Sequence, residues 1–270
     1  MFIHYISTTI VYIFYSTILI LVLDETDFER ITIKMTNELL LILSIIGIYG
    51  SVLLWLYLFG KQGLMAFTTF TTITANIEVL VMVKAFGMEM TLGNILFAAT
   101  FLVTDILSEL YGKETSKRAV NIGIITSLTM IFLTYSWMWY KPAASDWAYP
   151  SIKNIFSNTP RLMLVSLLVY AIVQKFDVWA YHKWWNFTTK KCGDQKRYLW
   201  VRNNGSTLVS QFLNNLLFTF GAFLGVHSFK TLINIVISSY VIFIVTSLAD
   251  TPIVYLARII PRGVLNKEDN

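Results

Sequence analysis

The sequence predicts an all-α integral membrane protein, a polytopic transmembrane helical bundle. Of its 270 residues, 56% are hydrophobic and only 14% are charged, whereas about 25% of the residues of soluble domains are charged. The mean hydropathy of the chain is +0.61. Apolar runs of about twenty residues recur, which is the length that an α-helix needs to cross a bilayer, and the alternating strands of about ten residues that build outer-membrane barrels are absent.

Residues 93–113 carry the strongest functional signal, because two carboxylates are set into an apolar segment. Placing an Asp near the centre of a bilayer costs about 2.5 to 3.5 kcal/mol. At helical spacing, one face of this segment holds Asn94, Ala98, Phe101, Asp105 and Glu109. Like charges four residues apart repel each other, which is tolerable only beside a proton, a cation or a donor-rich ligand. We therefore expect a polar binding face inside a membrane helix.

The N-terminal region contains two candidate starts. Residues 2–23 are apolar enough to span, yet they lack the basic segment and the small-residue cleavage site of a secretory signal. Met35 is a second plausible start, followed by a strong span at 39–59. We expect residues 1–34 to be an accessory hydrophobic helix with a charged link, or an artefact of start-site choice, residues 35–262 to be the transmembrane domain, and residues 263–270 to be a tail.

The remaining spans follow a turn at residues 60–63. They are predicted at 64–86, 93–113, 119–140, 161–179, 205–226 and 232–259. The span at 64–86 is rich in Thr, which membrane helices use for close packing, but its Asn76 and Glu78 are candidate site residues. The polar connection at 141–160 is long enough to cover the mouth of the bundle as a lid, or to form a surface loop.

Basic residues indicate the orientation in the membrane. The loop predicted at 182–204 contains six Lys and Arg residues, and the positive-inside rule therefore makes it cytoplasmic. Counting back through alternating spans puts the basic turn at 113–118 and the C-terminus on the same side. If residues 2–23 span there are eight helices with the N-terminus inside; without them there are seven, with the N-terminus outside. The pI near 9.1 thus reflects membrane topology, and we expect no direct binding of nucleic acid.

The sequence predicts neither a metal site nor a cofactor. Cys192 is the only cysteine, which excludes an internal disulfide and any multi-cysteine metal site. The three His residues are far apart and show no metal-ligand spacing, and there is no P-loop for ATP hydrolysis.

Two further helices carry polar residues that require a role. In the helix at 205–226, polar residues recur at three- and four-residue steps: Asn204, Thr207, Gln211, Asn214 and Asn215. We interpret this face as a ligand contact, with hydrogen bonding between helices as the alternative. In the last helix, Asp250 precedes Pro252, which suggests a broken helix beside a buried acid, the alternative being an acid paired with Lys or Arg near an interface. Asp177, close to Lys175 and to several Trp residues, is interpreted as interfacial.

Together these residues favour recognition of a ligand over bond-making chemistry, because no nucleophile is paired with a base. A guanine-like heterocycle is a good match, since a carboxylate can accept from its ring N–H and exocyclic amine while amides donate to its carbonyl. An aromatic side chain such as Phe101 can stack on its face. The candidate substrate-binding residues are Asn76, Glu78, Asn94, Phe101, Asp105, Glu109, Gln211, Asn215 and Asp250.

Several segments resemble the queuosine precursor transporter family, within the vitamin uptake transporter group. They are ANIEVL from Asn76, GNILFAATFLVTDILSELYGK, DVWAYHKWW, LWVRNNGSTLVSQFLNNLLFTFGAF and ADTPIVYLA. The resemblance covers residues 35–262, and its most specific part is formed by Thr104, Asp105, Glu109, Tyr111 and Gly112. Asn214 and Asn215 stand where similar proteins are expected to carry an acidic residue, so the amide face departs from the family pattern.

This resemblance implies a core of six or seven helices and an inner-membrane carrier that imports 7-cyano- or 7-aminomethyl-7-deazaguanine for the salvage of queuosine in tRNA. One alternative is the substrate-binding subunit of an energy-coupling-factor vitamin transporter, and another is a membrane-embedded enzyme using paired acids. The expected partners are the deazaguanine and the lipid bilayer. The sequence leaves a homodimer and an energy-coupling ATPase module open and indicates neither.

Overall fold

The computed structural model describes residues 36–157, 160–194 and 197–265. The extension at 1–34 and its apolar segment lie outside the described residues. The chain divides into two compact units, residues 1–43 and residues 44–270. Of the first unit the structure describes residues 36–43, which include the start of helix α1. The second unit contains the candidate site.

The described part of the chain consists of long helices and one short hairpin. In chain order its elements are α1 Asn37–Glu78, β1 Met82–Ala85, β2 Met88–Thr91, α2 Gly93–Tyr111, α3 Lys113–Trp137, α4 Tyr149–Ser157, α5 Pro160–Cys192, α6 Leu199–Phe223 and α7 Phe229–Ile259. Among the described residues, five helices are long and apolar enough to cross a membrane: α1, α2, α3, α5 and α7. The prediction of an all-α polytopic bundle is confirmed.

Helix α2 lies at the centre of this bundle. It packs against α3, α5, α6 and α7. In its most apolar segment of 18 residues, 78% of the residues are buried, whereas the corresponding segments of the other four candidate spans are 22 to 44% buried. On its apolar side, Leu102 and Leu107 pack into one core cluster with Val52, Leu56 and Leu64 of α1. Helix α6 is too polar to count among the apolar spans, and it packs against α5 and α7. The polar residues of α2 and α6 are therefore enclosed by apolar helices.

Helix α1 is broken at Gly60, within the predicted turn. Gly60 has φ 59° and ψ −136°, a conformation that is essentially restricted to glycine. A break of this kind leaves backbone carbonyls without their usual partners four residues later. The C-terminal segment supplies these partners, because the amides of Gly263, Val264 and Leu265 donate to the carbonyls of residues 56, 57 and 58 at 3.2, 2.9 and 2.9 Å. The C-terminal segment therefore completes the helix end.

The predicted helix at 64–86 was too long. Helix α1 ends at Glu78, and β1 and β2 then form an antiparallel hairpin in which Ala85 pairs with Met88. Phe86 and Gly87, between these strands, both have positive φ, 51° and 73°. Two such residues fit a tight two-residue hairpin turn, whose twist matches that of the strands.

Four other features differ from the predictions. Helix α3 begins at Lys113, so the basic turn predicted at 113–118 is helical. The connection at 141–160 contains the short helix α4. The basic loop predicted at 182–204 is mostly helical, since α5 continues to Cys192 and α6 begins at Leu199. The break predicted near Pro252 was wrong, because α7 runs through this residue as a helix. The predicted end of the last span at residue 259 was correct.

The break in α1 is testable by substitution of Gly60. An added Cβ would strain the backbone at φ 59° and would lie 3.4 Å from the backbone of Gly263. Gly60→Ala should therefore destabilise the protein by about 1 to 3 kcal/mol, measured as a lower thermal unfolding midpoint in detergent. Gly50→Ala is the matched control, because nothing lies within 4 Å of its added Cβ. Equal midpoints for the two variants would contradict this account.

Candidate functional site

Polar side chains are distributed along most of the length of α2. Asn94 and Glu109 are fifteen residues apart, which corresponds to about 22 Å along the helix. Between them lie Thr100, Thr104 and Asp105. Together with residues of the surrounding helices, these side chains form three successive regions, described below as the cavity, the acid layer and the arginine cluster.

The cavity lies beside the first half of α2. Its empty space of about 540 Å³ includes open solvent, and only about 40 Å³ of it can hold the centres of water-sized molecules, so the cavity is narrow as it stands. Its lining combines amides, hydroxyls and aromatic rings from five helices: Thr72, Ala75, Asn76, Val79, Gly93, Asn94, Phe97, Thr100, Ser127, Ser166, Tyr170, Asn214 and Phe218. This composition suits a small, flat, polar molecule.

Some hydrogen-bonding groups of the cavity are occupied within the protein. The Asn76 side-chain amide donates to the carbonyl of Thr72 at 2.7 Å, and the Asn94 carbonyl oxygen accepts from Thr91 at 2.9 Å. Among the described residues, the Asn94 Nδ2 group has no partner, and the Tyr170 hydroxyl lies beside Thr72 but makes no hydrogen bond of normal geometry. Two hydrogen-bond donors of the cavity wall are thus available to a ligand.

The acid layer consists of Asp105 on α2, Asp177 on α5 and Asp250 on α7. Their exposed fractions are 1%, 0% and 0%, and the three carboxyl groups are close enough to interact electrostatically. Thr207 donates to Asp105 Oδ2 at 2.9 Å. Within the described part of the chain, Asp105 Oδ1 and both oxygens of Asp177 and of Asp250 have no hydrogen-bond partner.

The other polar groups of the acid layer do not donate hydrogen bonds to these unpaired oxygens. Ser210 lies beside Asp177 and Tyr49 lies beside Asp250, but neither hydroxyl makes a hydrogen bond of normal geometry with its acid. Gln211 is fully buried, and both of its amide atoms lack a partner among the described residues. It follows Thr207 by one helical turn and therefore faces the same side of α6. Each unsatisfied buried polar group costs about 1 to 3 kcal/mol, so a concentration of them requires an explanation such as a bound water, ion or ligand.

The arginine cluster surrounds Glu109 near the end of α2. Arg202 donates to both Glu109 oxygens at 2.8 and 3.0 Å, and Arg258 donates to Oε1 at 2.8 Å. The Tyr181 hydroxyl donates to Oε2 at 2.7 Å. Arg202 is fully buried, and its guanidinium group stacks 4.2 Å from the Trp185 ring centre. Two positive charges and one negative charge thus hold α2, α5, α6 and α7 together.

The amides on the predicted polar face of α6 have different surroundings. Asn215 donates to the carbonyl of Val236 on α7 at 2.5 Å, and Asn204 donates to Thr251 on α7 at 2.6 Å. These two amides therefore make hydrogen bonds between helices, which was the alternative to ligand contact for this face. Asn214 lines the cavity, and Gln211 belongs to the acid layer. The same sequence periodicity therefore serves both packing and the site.

Besides Asn215, two predicted residues lie apart from the three regions. Phe101 is fully buried in an apolar cluster with Val169 and Val173, while its neighbour Phe97 lines the cavity. The two rings meet edge to face with centroids 5.4 Å apart. Glu78 is the last residue of α1, is half-buried, and does not line the cavity.

Helix α5 contributes residues that the sequence analysis missed. Asp177 is fully buried, so its interpretation as interfacial was wrong. Gln174 donates to Thr100 at 2.6 Å and accepts from Thr104 at 3.3 Å. A signal was available in the chain, because steps of four, three and four residues place four polar side chains on one face of α5: Tyr170, Gln174, Asp177 and Tyr181.

The arginines of the cluster were also missed. Arg202 was assigned to a cytoplasmic loop on its charge alone, but it lies in the first turn of α6 with no exposed surface. Its partner Glu109 is 93 positions away in the chain. No local pattern indicates a contact across that distance.

The acid layer is not arranged as a metal site. In the described ranges, no three His, Cys, Asp or Glu side chains are placed to hold one metal ion.

A bundle of membrane-length helices around a cavity and unpaired buried acids has the architecture of a small-molecule membrane transporter. The family model described as "Putative vitamin uptake transporter" matches residues 91–257, and the chain belongs to this family of transporters, which are not enzymes. It is 37% identical over 207 residues to a Bacillus subtilis (strain 168) protein named "Probable queuosine precursor transporter", covering 77% of this chain and 88% of that protein. The family resemblance is thereby confirmed. No solved structure matches the chain.

The charge balance of the arginine cluster predicts which of two variants, Glu109→Gln or Arg258→Gln, is the less stable. Glu109→Gln leaves two adjacent guanidinium groups without their counter-charge, and breaking a buried ion pair in this way costs about 3 to 5 kcal/mol. Arg258→Gln leaves the pair with the fully buried Arg202 intact. In thermal denaturation of purified protein, Glu109→Gln should therefore have the lower midpoint.

Glu114→Gln is the control for this comparison, because its ion pair with Lys117 is exposed and should contribute little to stability. A midpoint for Glu109→Gln equal to that of the unmodified protein, or above that of Arg258→Gln, would contradict the charge-balance account.

Proposed function

We propose that this transporter imports queuosine precursors, 7-cyano-7-deazaguanine or 7-aminomethyl-7-deazaguanine, across the plasma (inner) membrane for the salvage of queuosine in tRNA. The observation that carries the proposal is the acid layer, in which fully buried carboxylates and an amide from four helices keep atoms without a partner among the described residues. The name of the Bacillus subtilis relative supports the same class of substrate.

The chemistry of a deazaguanine suits both the cavity and the acid layer. Its ring N–H and exocyclic amine are adjacent donors, and one carboxylate can accept from both of them. Asp105 Oδ1 and Asp250 are available as acceptors in the acid layer, where the Gln211 amide can donate to the carbonyl of the base. The Asn94 amide is eleven residues from Asp105 on α2, about 16 Å along the helix, and it can bind the substrate only while the base occupies the cavity. Phe97 and Phe218 offer aromatic faces in the cavity wall for stacking.

We propose that transport runs from the cavity through the acid layer to the arginine cluster. Glu109 lies close in sequence to the basic residues at 113–118, which begin helix α3 and which the positive-inside rule assigns to the cytoplasm together with the C-terminus. The cavity belongs to the opposite half of α2. Substrate would then enter at the cavity, and the arginine cluster would have to separate before release into the cytoplasm.

Cells that lack precursor synthesis provide the test of the proposed function. When supplied with external precursor, they should form queuosine-modified tRNA only when this protein is expressed. Asp105→Asn removes a charged acceptor of the acid layer and should reduce the modification by about tenfold or more, while immunodetection shows unchanged membrane levels. Glu89→Gln, in the exposed part of the hairpin, should leave it unchanged. Equal modification with and without the protein would overturn the proposal.

Purified protein in liposomes tests whether the chain transports alone. We expect uptake of labelled deazaguanine without any ATPase subunit. Uptake that requires added paired ATPases would instead identify the chain as the binding subunit of an energy-coupling transporter.

A further inference from the structure

We propose that the acid layer selects the cationic precursor, 7-aminomethyl-7-deazaguanine, over the neutral nitrile, and that Asp177 is the specificity-determining residue that binds its ammonium group. This inference rests on the proposed function, because it concerns the choice between two substrates of the same transport path.

The first argument is the balance of hydrogen-bonding groups in the acid layer. Five carboxylate oxygens have no partner among the described residues: one of Asp105, two of Asp177 and two of Asp250. The neighbouring groups with a free donor are the Gln211 amide and the Ser210 hydroxyl, since the Tyr49 hydroxyl beside Asp250 donates to the Thr246 carbonyl at 3.3 Å. The acid layer is thus rich in acceptors. An ammonium group adds three donors and no acceptor, whereas a nitrile adds an acceptor and no donor.

The second argument is charge. Both arginines of the arginine cluster are bonded to Glu109, and the described ion pairs include none with Asp105, Asp177 or Asp250. A buried carboxylate requires a compensating positive charge or a proton. An alkyl ammonium group is charged at neutral pH, so the aminomethyl substrate supplies this compensation itself. The nitrile substrate supplies none.

Asp177 is the acid best positioned for this role. Both of its oxygens are without a partner in the described structure, and it interacts electrostatically with Asp105 and with Asp250. It also shares one face of α5 with Tyr170, which lines the cavity, and with Gln174, which contacts the cavity residue Thr100. Tyr170 and Asp177 are seven residues apart, about 10 Å along the helix. A substituted bicyclic base can bridge this length with its ring at the cavity and its side group at Asp177.

The arrangement of the acids favours an organic cation over a single metal ion. No three acidic, His or Cys side chains in the described ranges are placed to share a metal ion. An ammonium group requires only hydrogen-bond acceptors, which the acid layer offers.

The test is uptake of both labelled precursors by liposomes containing the full-length protein. The unmodified protein should reach half-maximal uptake of the aminomethyl form at a concentration lower than that of the nitrile form by about tenfold or more. Asp177→Asn preserves the shape of the side chain and removes its charge. This variant should lose about tenfold or more of its uptake of the aminomethyl form, and its uptake of the nitrile should change little.

Asp177→Glu keeps the carboxylate and should restore part of the aminomethyl selectivity, while Glu89→Gln should alter neither substrate. Retained nitrile uptake shows that Asp177→Asn is folded. Should that variant fail to fold, the comparison of the two precursors on the unmodified protein still shows whether the protein selects the aminomethyl form.

Two results would overturn this inference and leave the proposed function standing. They are equal uptake of both precursors by the unmodified protein, and an equal loss of uptake of both precursors in Asp177→Asn. Absence of uptake of both precursors, with and without added paired ATPases, would overturn the proposed function itself.

Discussion

A carboxylate is costly to bury in an apolar interior, and the arrangement of this bundle depends on how that cost is compensated. Glu109 is compensated completely, by two guanidinium groups and a phenol from three other helices. Asp105, Asp177 and Asp250 are compensated only in part, by one hydroxyl donated to Asp105. Because an acid with all its acceptors filled has little capacity for a ligand, the two regions serve different purposes. Glu109 connects helices, and the other three acids remain available for binding.

Helix α2 can carry both regions because it is enclosed on all sides. Ala98 and Ala99 are fully buried, and their small size lets neighbouring helices approach closely. Along the same helix, Asn94 belongs to the cavity, Asp105 to the acid layer and Glu109 to the arginine cluster. A rigid helix fixes the axial order of the three regions, so a molecule that passes along α2 meets them one after another.

The polar residues of α6 illustrate how one pattern serves two roles. Asn204 and Asn215 bond to α7, and hydrogen bonds between membrane helices contribute about 0.6 kcal/mol each on average. Gln211, between them in sequence, has no partner in the described part of the chain, which is the arrangement expected of a group that meets a ligand.

Composition and apolar periodicity by themselves determined the class of this protein, the position of its central helix, and the alignment of Asn94, Asp105 and Glu109 on that helix. These features depend on neighbours within a few residues in the chain, where helical geometry is reliable. Local rules also led to errors. Asp177 was considered interfacial because Lys175 and Trp residues adjoin it, and Arg202 was assigned to a loop because it follows other basic residues.

Only the tertiary structure decided which acids are paired. The partners of Glu109 lie 93 and 149 positions away, and the hydroxyl that meets Asp105 lies 102 positions away. The energy of a buried charge is set by groups within a few ångströms in space, and separation along the chain carries almost no information about that distance. The sequence therefore identified acids that need compensation, and the fold determined which of them receive it from the protein: Glu109 does, whereas Asp105, Asp177 and Asp250 keep oxygens without a partner in the described part of the chain.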